Sequence, residues 1–161
     1  MRPANLDTLG LGAALQELRE AWQERTGVVC VLRFEGDIAA LGAAVDLTIY
    51  RIVQEALTNV ARHARACNVR VALSRSSAME VVLHVQDDGQ GMDPHLATRG
   101  LGLLGAVERA AAVCGELQVH SAPGQGLTIA LRIPLSLPEG PPATASAATH
   151  RSVDWAFKEA A

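Results

Sequence analysis

Four polar side chains recur at helical spacing within residues 50–64: Arg51, Glu55, Asn59 and His63. In a helix of about 3.6 residues per turn they fall on one stripe, beside an apolar stripe that can pack a core. A carboxylate, an amide and an imidazole on one rigid element suit metal binding, activation of a nucleophile and contact with a phosphate. The same pattern also describes an ordinary solvated helix face, so this stretch alone leaves both interpretations open.

A second polar group follows a predicted strand at residues 87–91, which read Asp-Asp-Gly-Gln-Gly. Asp87 stands where the strand meets the turn, so its carboxylate can point into a cleft. Gly89 and Gly91 would let the backbone approach a flat ligand closely. The exocyclic amine of adenine would suit this carboxylate. The alternative is an ordinary Asp-Gly turn.

A third segment, residues 100–105, reads G-L-G-L-L-G and formally matches the dinucleotide-binding pattern. That pattern requires a strand directly before it, whereas a polar loop precedes residue 100 and the neighbouring strands are predicted to be antiparallel. A Rossmann fold is therefore disfavoured. A glycine-rich helix start still offers free N–H groups to a phosphate, although the glycines could serve only loop flexibility.

Helices and strands that can position these segments are predicted along most of the chain. Helical periodicity extends over residues 10–24, 43–65 and 101–114. Short runs rich in β-branched and apolar residues predict strands over residues 28–34, 69–73, 81–86, 117–121 and 127–133. This order predicts an α+β fold, a two-layer α/β sandwich with a mixed, mostly antiparallel sheet and helices on one face.

Composition limits the classes of function. The net charge of −3 and the 3% aromatic content give no basis for direct nucleic-acid binding, and no apolar run is long enough to span a bilayer. The odd number of cysteines, Cys30, Cys67 and Cys114, set among apolar residues, predicts buried thiols in a reducing cytosol. The predicted organisation is an N-terminal helical segment (1–26), a central α+β domain (27–136) and a flexible tail (137–161).

Taken in order, the three segments resemble the boxes of the GHKL ATPase superfamily. Residues 51–64 resemble the N box of sensor histidine kinases of the nitrate-sensor type, residues 87–91 the D-x-G-x-G box, residues 100–105 the second glycine box, and residues 123–126 the final turn. The resemblance covers nearly everything from residue 6 to residue 134. It implies the Bergerat form of the sandwich, which agrees with the predicted helices and strands.

The resemblance also implies roles for the matching positions. Asn59 would ligate the Mg²⁺ that bridges the ATP phosphates, and Glu55 would act as general base or orient the attacking group. Asp87 would accept a hydrogen bond from the adenine amine. The remaining expected nucleotide contacts are Arg62, His63, Gly89, Gly91, Gly100, Gly102, Leu103 and Thr128.

Two departures from the family pattern affect these roles. The kinases usually carry Thr directly after the final glycine pair, whereas this chain has Leu127 there and Thr128 one place later. A shift of one residue in a strand moves a side chain to the opposite face, so weakened adenine binding is expected. None of the five histidines stands in the context expected of the phosphoacceptor, which in the family lies on an upstream dimerisation helix.

The sequence therefore predicts the ATP-binding catalytic domain of a two-component sensor histidine kinase, a cytoplasmic enzyme domain that uses Mg²⁺ and ATP. Its expected partners are a dimerisation and phosphoacceptor domain, expected outside this chain, and through it a helix-turn-helix response regulator. One alternative is an anti-sigma-factor serine kinase. Another, from a different class, is a non-catalytic module that senses nucleotide or docks a partner.

Overall fold

Three α-helices lie against a five-stranded sheet within residues 3–77, 79–91, 93 and 102–135, which are those that the computed structural model describes. The helices are α1 (Ala4–Thr26), α2 (Ala43–Asn59), which continues into a π-helical turn (Val60–Ala64), and α3 (Leu103–Ala112). The strands are β1 (Val29–Glu35), β2 (Asn68–Ser77), β3 (Glu80–Asp87), β4 (Glu116–Ser121) and β5 (Leu127–Pro134).

The sheet has the strand order β1-β2-β3-β5-β4. Strand β1 pairs with β2 in parallel, and all other neighbours are antiparallel. Every second residue of β3 is buried, so one face of the sheet packs under the helices. The predicted α+β sandwich with a mixed, mostly antiparallel sheet is therefore confirmed. The register places Asp87, at the end of β3, opposite Leu127 at the start of β5.

One apolar core joins the helices to the sheet. It includes Trp22 of α1, which is 2% exposed and whose indole N–H donates to the carbonyl of Leu57 in α2 at 2.9 Å. Helix α1 therefore packs into the same core as the central helix. The division of the chain at residues 26 and 136 stays a prediction, and the tail from residue 137 lies outside the described residues.

Helix α1 begins at Ala4, earlier than the start near Gly10 that periodicity predicts. Pro3 precedes the helix, a position where its fixed backbone angle is tolerated. Gly10 has a non-helical conformation (φ 83°, ψ 170°), so it kinks the helix instead of starting it. The kink keeps both Leu6 and Leu11 in the core.

The central helix does not run as a regular α-helix to Arg65. After Asn59 it widens into the π-helical turn, and the chain then leaves through Arg65 in the left-handed region at φ 50°. A π-helical turn is rare and is often found at functional sites. It alters the four-residue spacing that relates Asn59 to His63 in the predicted stripe.

The cysteine prediction is correct for Cys30 and wrong for Cys67 and Cys114. Cys30 is buried in β1, whereas the other two thiols are exposed. Cys67 directly precedes β2 and Cys114 follows α3, so both lie where the chain leaves an element. Apolar neighbours in the sequence do not bury a residue at such a position.

We expect two thiols of the native protein to react rapidly with DTNB and the third only on unfolding. Burial raises the pKa of the Cys30 thiol to about 11, partly opposed by the nearby positive charge of Arg19, so this thiol is both inaccessible and protonated at neutral pH. The measurement is thiol titration with and without denaturant. Rapid reaction of all three thiols in the folded protein would contradict the assigned burial.

Candidate functional site

A cleft opens beside the end of α2. Its walls come from three places: the helix end, the turn after β3, and the first residue of β5. It is lined by Asn59, Val60, His63, Ala64, Asp87, Gln90, Gly91 and Leu127. The structure therefore brings the first two predicted polar segments together at one cleft, although residues 59 and 87 are far apart in the sequence.

Asp87 is a buried carboxylate at the base of this cleft. It is 6% exposed, and its Oδ1 accepts a hydrogen bond from the N–H of Gly89 at 2.8 Å. Burial raises the pKa of Asp87, opposed by the N–H groups of Gly89 and Leu127, while the adjacent charge of Asp88 adds to the increase. A buried carboxylate beside an open cleft suits recognition of a hydrogen-bond donor on a ligand.

The neighbouring Asp88 joins the end of β3 to the start of β2 through its side chain. Its Oδ1 accepts hydrogen bonds from the backbone N–H groups of Cys67 (2.8 Å) and Asn68 (2.9 Å), and its Oδ2 accepts from Nδ2 of Asn68 (2.8 Å). Burial would raise the pKa of Asp88, but these hydrogen bonds together lower it. The two successive aspartates therefore differ in role, one joining β3 to the start of β2 and the other facing the cleft.

Two glycines of the turn are required by close packing. A Cβ at Gly89 would collide with the carbonyl oxygen of Ala64 at the end of the π-helical turn. Gly91 has φ 61°, and a Cβ there would collide with the carbonyl oxygen of Ala122. The turn after β3 thus lies directly against both the helix end and the β4–β5 connection.

Asn59 projects from α2 as a buried amide. It is 9% exposed, and its Nδ2 has no hydrogen-bond partner among the described residues. An unpaired buried amide is unfavourable, and a bound phosphate or a metal-bound water would satisfy it. Its Oδ1 is a hard oxygen donor of the kind that Mg²⁺ prefers, and the ion usually takes its other ligands from phosphates and water. The described residues contain no cluster of three or more His, Cys, Asp or Glu suited to holding a metal by themselves.

Glu55 lies one turn before Asn59 and faces the start of α3. A Cβ added at Gly102 would lie 3.4 Å from Oε1 of Glu55, so these two predicted site residues are neighbours. Gly102 precedes the first residue of α3 and has φ 68°. The side chain of Leu103 is 1% exposed and packs in the core, which leaves only its backbone for contact with a ligand.

The other predicted site residues are placed differently. His63 is exposed and lines the cleft, whereas Arg62 is exposed and is not among the lining residues. Thr128 pairs with Gln86 and His120, and strand alternation places it on the face of the sheet opposite to Leu127. Gly100 lies outside the described residues.

Neither Gln90 nor Val60 was predicted to be a site residue, yet both line the cleft. Gln90 occupies a variable position of the D-x-G-x-G pattern, so the pattern itself carried no signal for it. Val60 belongs to the predicted apolar stripe of the helix, where core packing was the natural interpretation.

Within the described part of the chain, no helix combines the length and the apolar character that crossing a membrane demands.

Comparison with known proteins gives a match to one family and to several relatives. The family model described as "Histidine kinase-, DNA gyrase B-, and HSP90-like ATPase" matches residues 44–137. The chain is 31% identical over 140 residues to a signal transduction histidine-protein kinase/phosphatase DegS from Brevibacillus brevis, which covers 86% of this chain and 36% of that protein. It is 30% identical over 143 residues to an uncharacterized sensor-like histidine kinase from Chloroflexus aurantiacus, covering 84% and 24%.

Solved structures show the same architecture. The blue-light activated histidine kinase EL346 of Erythrobacter litoralis superposes with a TM-score of 0.64 at 26% identity, covering 78% of this chain and 42% of that chain. The histidine kinase AdeS of Acinetobacter baumannii superposes with a TM-score of 0.62 at 15% identity, covering 83% and 74%, and so supports the fold alone. This chain spans well under half the length of the curated relatives that it matches.

Proposed function

Because this chain belongs to the family of histidine kinase-, DNA gyrase B- and HSP90-like ATPases, we propose that it transfers the γ-phosphoryl group of ATP to a histidine on a separate domain. The observation that supports the proposal best is the cleft that combines buried Asp87, buried Asn59 and the glycine turn. The exocyclic amine of adenine can donate to the Asp87 carboxylate on one wall of the cleft. The phosphates can then contact the Asn59 amide on the helix wall.

Each residue of the proposed site acts through its position. Asp87 accepts the hydrogen bond of the adenine amine, and Gly89 and Gly91 let the turn after β3 pack against the helix end and the β4–β5 connection, which forms the wall beside the ring. Asn59 would hold Mg²⁺, which when bound supplies charge neutralisation on the phosphates. Glu55, on the same side of α2, takes the proton from the attacking imidazole nitrogen. The new P–N bond forms as the bond from the γ-phosphorus to the bridging oxygen breaks, and ADP leaves.

The partners follow from the reaction. The acceptor is a phosphoacceptor domain of the kind that sensor histidine kinases carry on their dimerisation helices, and the phosphoryl group then passes to a response regulator of the helix-turn-helix class. We place the domain in the cytosol, where ATP and the regulator are available.

Two alternative functions are distinguished by experiment. One is transfer to a serine of an anti-sigma factor. The other is nucleotide sensing without transfer, which the presence of Leu127 in place of the family's usual Thr favours.

The decisive test combines the chain with radiolabelled ATP, Mg²⁺ and a purified phosphoacceptor domain of a related histidine kinase. Base-stable, acid-labile label on the added domain identifies phosphohistidine and supports the proposal. Acid-stable label on a supplied anti-sigma-factor target would identify the serine kinase. Saturable binding of a non-hydrolysable ATP analogue with no transfer to either substrate would favour the sensing module.

Leu127→Thr should tighten binding of a non-hydrolysable ATP analogue by about three- to ten-fold, the value of one added hydrogen bond. Leu127 lines the cleft opposite Asp87, so a hydroxyl at this position would face the base directly or through a water. The measurement is calorimetric titration in Mg²⁺. Leu117→Thr is the matched control, since Leu117 is half-buried on β4 and outside the cleft lining. A Leu127→Thr protein that binds the analogue no tighter than the wild type would refute the expectation that Leu127 weakens adenine binding.

A further inference from the structure

Gln90 joins the end of the central helix to the far side of the cleft through three hydrogen bonds. Its Nε2 donates to the carbonyl of His63 at 2.6 Å, and its backbone N–H donates to the carbonyl of Ala64 at 2.8 Å. Its own carbonyl accepts from the N–H of Gly124 at 2.6 Å. One residue therefore connects the π-helical turn, the turn after β3 and the β4–β5 connection.

The end of the helix requires such partners. The last carbonyl groups of a helix receive no hydrogen bond from an N–H of the same helix, and here His63 and Ala64 are the final residues before the chain turns away. Arg65 then adopts φ 50°, a left-handed conformation that is unfavourable for a residue with a side chain and persists only where its surroundings impose it. Gln90 donates to both terminal carbonyls and so caps the end of the helix from a distant segment.

The same contacts fix the two walls of the cleft relative to each other. Asn59 and His63 belong to the helix wall, and Asp87 belongs to the wall formed by β3 and its turn. Gly89 packs against the carbonyl of Ala64, which keeps the walls in contact at the base. The side chain of Gln90 adds a hydrogen bond one residue earlier in the π-helical turn, to the carbonyl of His63.

We propose that Gln90 is a positioning residue that sets the distance between the base-binding wall and the phosphate-binding wall of the cleft. The inference rests on the proposed function, since it requires a ligand that contacts both walls. It leads to a specific expectation: loss of the side-chain donor weakens a ligand that spans both walls, whereas a ligand held only at Asp87 is little affected.

The experiment compares two ligands, a non-hydrolysable ATP analogue with Mg²⁺ and adenosine alone, in four proteins. Gln90→Met removes the donor at similar size and without adding charge. Gln90→His restores a donor of similar reach and is largely neutral at about pH 8. Gln118→Met is the matched control, because Gln118 is exposed on β4, lies outside the cleft lining, and donates from Nε2 to the Glu116 side chain at 3.1 Å.

We expect Gln90→Met to raise the Kd for the ATP analogue by about three- to ten-fold and the Kd for adenosine by less than about two-fold. Gln90→His and Gln118→Met should stay within about two-fold of the wild type for both ligands. Equal weakening of both ligands, or no weakening of either, would overturn the proposal while leaving nucleotide binding itself established. If the wild type bound neither ligand, the proposed function would fail, and this inference with it. Should the Met side chain prevent folding, Gln90→Ala gives the same comparison of ligands without the added bulk, and both variants keep the backbone bond to Ala64.

Discussion

Replacing Asn59 by alanine should lower phosphoryl transfer from ATP to an added histidine domain by at least about 100-fold while leaving the protein folded. The amide is the buried oxygen donor that projects from α2 into the cleft, so its removal takes away the expected contact with the metal and the phosphates. Its Nδ2 has no partner among the described residues, so truncation also removes an unsatisfied buried group. We therefore expect the melting temperature to stay the same or to rise.

The measurement is the rate of label transfer at saturating acceptor, with Mg²⁺ varied. Asn5→Ala is the matched control, since Asn5 lies on α1, outside the cleft lining, and its Nδ2 donates to Oε2 of Glu17. Asn59→Asp retains an oxygen ligand and should recover part of the activity at raised Mg²⁺. Transfer by Asn59→Ala at the wild-type rate would show that the assigned metal role is wrong.

The fold was predictable where the information is local. The alternation of Val81, Leu83 and Val85 determines which face of β3 is buried, and the apolar stripe of α2 determines which side packs against it. The sheet was predicted to be mixed, but its parallel pair was not identified; the pair is β1 with β2, which are joined through the central helix, as a parallel connection requires. The kink at Gly10 was also missed, since a glycine inside an apolar pattern is compatible with either a helix start or an interruption.

The candidate site was predictable in its parts and not in its assembly. Asp87 and Asn59 could be singled out because a carboxylate before a glycine turn and an amide on a helix stripe are recognisable patterns. The roles of the individual residues stay predictions. What the sequence could not provide is the π-helical turn, which places His63 beside the turn after β3, and the role of Gln90, which depends on two carbonyl groups of a distant segment. The acceptors of such contacts are backbone carbonyl groups, and residue types alone do not reveal where a distant backbone places them.

Asp87→Asn should abolish measurable binding of a non-hydrolysable ATP analogue, with a loss of at least about 100-fold in affinity. The carboxylate of Asp87 accepts N–H groups from Gly89 and Leu127 and still faces the cleft. If an asparagine Oδ1 took over those backbone bonds, its Nδ2 would point towards the adenine amine. Two donors would then meet in a buried site, which costs more than the loss of a single hydrogen bond.

Although Asp87→Asn should lower nucleotide affinity, it should raise the stability of the protein relative to the wild type as the pH increases. Because burial raises the pKa of Asp87 in the folded state, the folded protein binds the proton more tightly than the unfolded chain does. The wild type therefore loses stability as pH rises from the unfolded pKa of an aspartate through the higher folded value, and the loss is complete above it. Asparagine carries no such charge, so the melting temperature of Asp87→Asn relative to the wild type should increase over this pH interval.

The changes in nucleotide affinity and in melting temperature together distinguish a ligand-binding role of Asp87 from a structural one. Asp37→Asn is the matched control, because the exposed Asp37 side chain accepts a local hydrogen bond from the N–H of Ala39 at 3.0 Å, and its replacement should alter neither binding nor stability. A folded Asp87→Asn protein without nucleotide binding places the base at this carboxylate. If that protein bound the analogue as tightly as the wild type, adenine would have to be recognised elsewhere in the cleft. Parallel loss of binding and stability would instead make Asp87 a structural residue of the turn, since burial of its charge would then be compensated within the fold.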